Sequence, residues 1–94
     1  MNTKAKGARH ERRARALLES EGYTVVRVGA SLGLFDLVAF GRKGIVLVQV
    51  KRNRGPGAAE RARLATFNNL PRATSKQVWI FRDRCTDPSI EVIP

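Results

Sequence analysis

Three polar side chains interrupt the apolar stretch FDLVAFGRKGIVLVQVK at residues 35–51: Asp36, Gln49 and Lys51. Gly41 and Gly44 bracket Arg42 and Lys43 and mark a tight turn between two strands. A hairpin closed there sets Phe40 opposite Ile45, Val38 opposite Leu47 and Asp36 opposite Gln49. Opposed residues point to the same side of a sheet, with Cβ atoms about 5 Å apart. One face then collects Phe35, Leu37, Ala39, Val46, Val48 and Val50. The other is apolar near the turn and ends in Asp36, Gln49 and Lys51. A slip of one residue would scramble both faces, so the pattern supports the register.

An ionised carboxylate at the end of a half-buried strand is costly unless paired or bound to a cation. Lys51, diagonally across from Asp36, could be a simple salt-bridge partner. A second reading adds Glu11 from the first helix, the amide oxygen of Gln49 and the backbone carbonyl of Val50. Together these make an oxygen-rich corner suited to a hard divalent cation such as Mg²⁺. A cation there would activate water and polarise a phosphoryl oxygen. The Lys51 ammonium would stabilise charge developing in the transition state. That chemistry is phosphodiester hydrolysis, and a protein that only binds nucleic acid has no use for carboxylates beside its contact surface.

The elements that must hold this corner can be read from the pattern. Residues 1–7 are expected as a mobile basic arm and residues 8–21 as a helix, rich in helix formers and closed by Gly22. Gly7, Glu11, Ala14 and Leu18 form its inward stripe with Leu17 alongside. YTVVRV is a strand, the loop GASLGL follows, and then come the two strands of the hairpin. RNRGPGA is a loop broken by Gly and Pro. A second helix is expected over 58–70, stopped by Pro71, then strands QVWIFR and IEVI. The fold class is therefore α/β, a mixed β-sheet flanked by helices, in one domain of 94 residues.

Eighteen Lys and Arg against eight Asp and Glu give a formal charge of +10, which points to a polyanionic partner. Thirteen of those cations are Arg, whose planar fork suits phosphate. Arg9, Arg12, Arg13, Arg15, Arg52 and Arg54 are the expected DNA contacts. A basic structural protein of a ribonucleoprotein, with only a salt bridge at its acid corner, is the non-enzymatic alternative. The single Cys85 allows no internal disulfide, and no Cys/His set exists for zinc. A reducing, cytoplasmic setting is expected, with no membrane-spanning run and no signal peptide. His10 is read as a solvated or phosphate-facing side chain, and Trp79 and Phe81 as core or interface.

Glu11 on a helix, Asp36 on a strand and Gln49-Val50-Lys51 on the next resemble the core of the PD-(D/E)xK, restriction-endonuclease-like nucleases. Their α-β-β-β-α-β order matches the order above. Within that superfamily, GARHERRARALLESEGYTVVRVGASLGLFDLVAF…VLVQVK is similar to the archaeal-type Holliday junction resolvases, over residues 7–70. The resemblance implies a structure-selective, metal-dependent DNA endonuclease that nicks four-way junctions symmetrically as a homodimer, with Mg²⁺ or Mn²⁺ as cofactor. It implies Glu11, Asp36, Gln49 and Val50 at the metal, Lys51 as catalytic lysine, and Ser31 near the scissile phosphate. Phe35 replaces the usual Pro and Gln49 the usual acid. The alternatives are another nuclease of this superfamily acting on flaps or duplex, and a catalytically degenerate DNA-binding module.

Overall fold

The computed structural model describes the backbone of residues 3–28 and 34–94, with side chains from residue 8 onward. Its elements are α1 (Thr3–Ser20), β1 (Thr24–Arg27), β2 (Leu37–Gly41), β3 (Gly44–Arg52), α2 (Ala58–Thr66), β4 (Thr74–Phe81) and β5 (Ser89–Ile93). The strands form one mixed sheet in chain order. Only β3 and β4 run parallel. Parallel neighbours need a crossover, and α2 supplies it. The expected α/β class and element order are found.

The hairpin register is the expected one, with Val38 opposite Leu47, Phe40 opposite Ile45 and Gly41 opposite Gly44. Gly44 has φ +149°, and a Cβ added there would lie 1.9 Å from the carbonyl oxygen of Ala73. Only glycine lets the start of β4 pass so close.

The helices depart from expectation at their ends. Residues 3–7, expected within an arm, belong to α1. Its stop is as expected, with Gly22 at φ +96° and the Tyr23 N–H donating to the Leu18 carbonyl at 3.1 Å. α2 ends at Thr66 and not at Leu70. Lys76, buried on β4, donates from Nζ to the carbonyl oxygens of Leu64, Ala65 and Phe67 at 2.6, 3.2 and 3.2 Å. Those of Leu64 and Ala65 would otherwise receive the next helical N–H groups, so the ammonium ends the helix before Pro71 does.

Each helix covers one face of the sheet. Ala14 and Leu18 of α1 pack on Val25, Leu37, Ala39, Val46, Val48, Trp79 and Phe81. Leu64 of α2 packs on Leu47, Val78, Ile80 and Ile93. Leu64 is fully buried, so Leu64→Ala should cost about 3 kcal/mol. Phe35, expected on the face of Leu37, Ala39, Val46, Val48 and Val50, belongs instead to the α2 cluster. It precedes the regular strand, which frees it from the alternation, and it meets Phe67 edge-on at 5.3 Å. Trp79 and Phe81 are buried core residues, as β4 carries helices over both faces.

Candidate active site

The β2–β3 ladder ends at Leu37, and Asp36 continues it by other means. Its N–H donates to the Val48 carbonyl and its carbonyl accepts from the Val28 N–H, both at 2.8 Å. Its carboxylate Oδ2 accepts from the Val50 N–H at 2.7 Å, standing in for a strand carbonyl. Burial pushes the Asp36 carboxyl above its ordinary value. The Val50 hydrogen bond and the charges of Lys51 and Arg27 oppose that shift, while Glu60 adds to it.

Gln49 and Lys51 alternate along the face of β3 that meets α2. Gln49 is 4% exposed, and its Oε1 finds no donor among the described residues. A buried amide oxygen without a partner costs about 1–3 kcal/mol, so the fold retains it against its own stability. Lys51 does not pair with Asp36. Its Nζ lies 2.7 Å from Glu60 Oε1, because the first turn of α2 returns over the end of β3. Lys51 acts on Asp36 through charge alone.

Glu11 sits on α1, whose packing is on the opposite face of the sheet, and pairs with Arg27 Nε at 3.1 Å. Arg27 also acts on Asp36, so its positive charge lies within reach of both carboxylates. Val50 contributes its N–H to Asp36, and its side chain packs on the α1 cluster. Ser31 lies outside the described residues.

The donor chemistry fits a hard divalent cation: a half-buried carboxylate bonded to the Val50 N–H, and on the preceding residue, Gln49, a buried amide oxygen with no partner among the described residues. The assembly is partial. Among the described residues no three acidic, His or Cys side chains converge as a ready-made cluster. Glu11 and Glu60, the other carboxylates near the corner, are held by Arg27 and Lys51.

The six arginines singled out from sequence are all exposed. Arg15 pairs with Glu19 at 3.3 Å, and Arg52 pairs with Asp83 at 3.4 Å. Arg9 and Arg13 line a recess of ≈ 300 Å³ with His10, Arg82, Asp83 and Arg84. His10 is not a solvated side chain: it is half-buried and stacks on Phe81 at 5.2 Å. Desolvation, aided by Arg9, Arg52 and Arg13 and opposed by Asp83, lowers its pKa. No helix of the described residues is long and apolar enough to cross a membrane.

The profile of the archaeal Holliday junction resolvase (Hjc) family matches residues 2–60, which include Glu11, Asp36, Gln49 and Lys51. The chain belongs to that family. Among solved structures, that of Archaeoglobus fulgidus Hjc, a Holliday junction resolvase from an archaeal hyperthermophile, is similar with a TM-score of 0.69. It is 24% identical, with 95% of this chain and 72% of that one covered, a likeness of fold. No curated protein matches in sequence. Within this Hjc-family fold, sequence reasoning missed Glu60, Arg27 and Lys76. Glu60 was accessible in principle: the short link after β3 forces the start of α2 back over Lys51.

Proposed function

We propose that this resolvase-family chain is a divalent-metal-dependent endonuclease that nicks four-way DNA junctions, with its active site at Asp36, Gln49 and Lys51. The observation that carries the site is the buried Gln49 Oε1, which has no partner among the described residues and lies on the strand that holds Asp36 through Val50 N–H and bears Lys51, in a strongly basic protein.

Asp36 and Gln49 Oε1 would hold the cation, with the Val50 carbonyl beside them and Glu11 reaching in from α1. A cation at this position supplies Lewis-acid activation of water and of the phosphoryl group. Lys51, with a side chain 31% exposed, donates to the scissile phosphate and stabilises the charge that accumulates there. Val50 N–H fixes the Asp36 carboxylate so that its orientation is set before substrate arrives. Ser31 is retained as a contact to the scissile phosphate. Arg9, Arg12, Arg13, Arg15, Arg52 and Arg54 hold the DNA backbone without reading sequence.

Symmetric nicking calls for two active sites related by a two-fold axis, hence a homodimer. Val78, Trp79, Ile80, Phe81 and Ile93 are buried within the fold and do not offer a surface for that contact. Ile90 and Val92 on the edge strand β5 remain exposed, at 51% and 63%, and are the apolar surface proposed for the partner copy.

The test is a labelled four-way junction incubated with the protein, with and without Mg²⁺ or Mn²⁺. Paired symmetric nicks, dependent on the cation and absent from linear duplex, are expected. Tight binding with no cut under any cation would establish a DNA-binding module instead. Equal cutting of linear duplex would establish a nuclease of different selectivity.

A further inference from the structure

Position 49 carries an amide where nucleases of the resembled type carry an acid, so the corner lacks one negative charge. Glu60 is a carboxylate whose charge acts on Asp36. It stands in the first turn of α2 and reaches the β3 face that bears Gln49 and Lys51, with its Oε1 2.7 Å from Lys51 Nζ. Its side chain is 26% exposed, so it borders the corner and does not point away into solvent. Gln49, 4% exposed and without a donor among the described residues, lies on the same strand face two residues before Lys51.

We propose that Glu60 supplies the carboxylate missing at position 49, so that the cation is held by Asp36, Gln49 Oε1 and Glu60. This rests on the metal-dependent reading of the Asp36 corner. Without a cation, two carboxylates near a buried amide repel each other, and Lys51 neutralises the nearer one. With a cation present, Glu60 turns to it and Lys51 is released toward the scissile phosphate. One residue thus explains both the loss of the acid at position 49 and the pairing of the catalytic lysine away from Asp36. A glutamate in the first turn of a helix also favours the helix dipole, a role that needs no cation.

Isothermal titration of Mn²⁺ into cation-free, DNA-free protein separates these roles. Asp36→Asn should abolish binding. Glu60→Gln should weaken it by about tenfold or more, because an amide keeps an oxygen but removes a charge. The double variant Gln49→Glu with Glu60→Gln should return the affinity to within about threefold of the parent, the charge having moved back to the strand. Circular dichroism melts check that α2 persists. Should Glu60→Gln unfold, Glu60→Asp keeps the helix-start charge while shortening its reach, and should weaken binding in the same direction. Parent-like affinity for Glu60→Gln, with binding lost in Asp36→Asn, overturns the role of Glu60 and leaves the Asp36 site standing. Failure of the double variant to recover affinity also overturns it. Parent-like affinity for Asp36→Asn removes the site itself, and the proposal with it.

Discussion

Lys76 and Gln49 are both buried on the α2 face of the sheet, 7% and 4% exposed, on adjacent strands. The ammonium of Lys76 has three carbonyl partners at the end of α2, and it closes the helix. The amide oxygen of Gln49 has none among the described residues. A buried polar group that is fully bonded contributes to stability, whereas an orphaned one detracts from it. A chain that can satisfy the harder group, a buried cation, has no physical need to leave the easier one unpaired. That difference is what the proposed cation site at Gln49 rests on.

The largest effect should come from breaking the satisfied side of that comparison. Lys76→Met removes the ammonium from the Ala65 and Phe67 carbonyls, and leaves Leu64 with the Phe67 N–H alone, and should cost about 3 kcal/mol. For a domain of this size that lowers the melting temperature by roughly 15 °C in a thermal melt. A change of less than about 3 °C would show that the carbonyls find other donors.

The same operation on Gln49 should have the opposite sign. Gln49→Leu removes a buried amide with no partner among the described residues and should stabilise the cation-free protein by about 1 kcal/mol. Junction cleavage should fall at least about a hundredfold, since a ligand oxygen is lost. Gln49→Glu should instead lower the Mg²⁺ concentration needed for half-maximal cleavage. Superimposable metal titrations for the three proteins would mean that the side chain never meets the cation.

Asp36 sharpens the comparison through pH. Burial raises its folded pKa above the ordinary 3.8, so the folded state binds the proton more tightly than the unfolded chain. The stability this contributes is fully present below pH 3.8 and is lost as pH rises through the folded value. In cation-free buffer Asp36→Asn should therefore gain on the parent as pH rises from 4 toward 7, seen as a widening gap in melting temperature. A gap that stays constant across that range would mean the carboxylate is not penalised by its burial.

The smallest effects belong to the exposed arginines. Arg12→Ala, Arg13→Ala and Arg54→Ala should each weaken junction binding a few-fold and lower the salt dependence by about one unit. Unchanged salt slopes would place the DNA elsewhere on the surface.

Most of the α2 face was legible in the sequence because strand alternation is strict. Two glycines fixed the hairpin register, and with it the side shared by Gln49 and Lys51. Phe35 escaped that logic because it precedes the regular strand. Helix ends were less legible, since α2 is closed by Lys76, a residue distant in sequence. The ion pairs were not legible at all: Lys51 meets Glu60 and Glu11 meets Arg27 through tertiary packing, which periodicity does not encode.

The most direct test of the central claim compares the parent and Asp36→Asn on one labelled four-way junction, measuring binding and cleavage separately. The Asp36 account predicts that the variant binds as tightly as the parent or tighter, one repulsive charge having been removed, and makes no cut with Mg²⁺ or Mn²⁺. Cleavage by Asp36→Asn at the parental rate would contradict it.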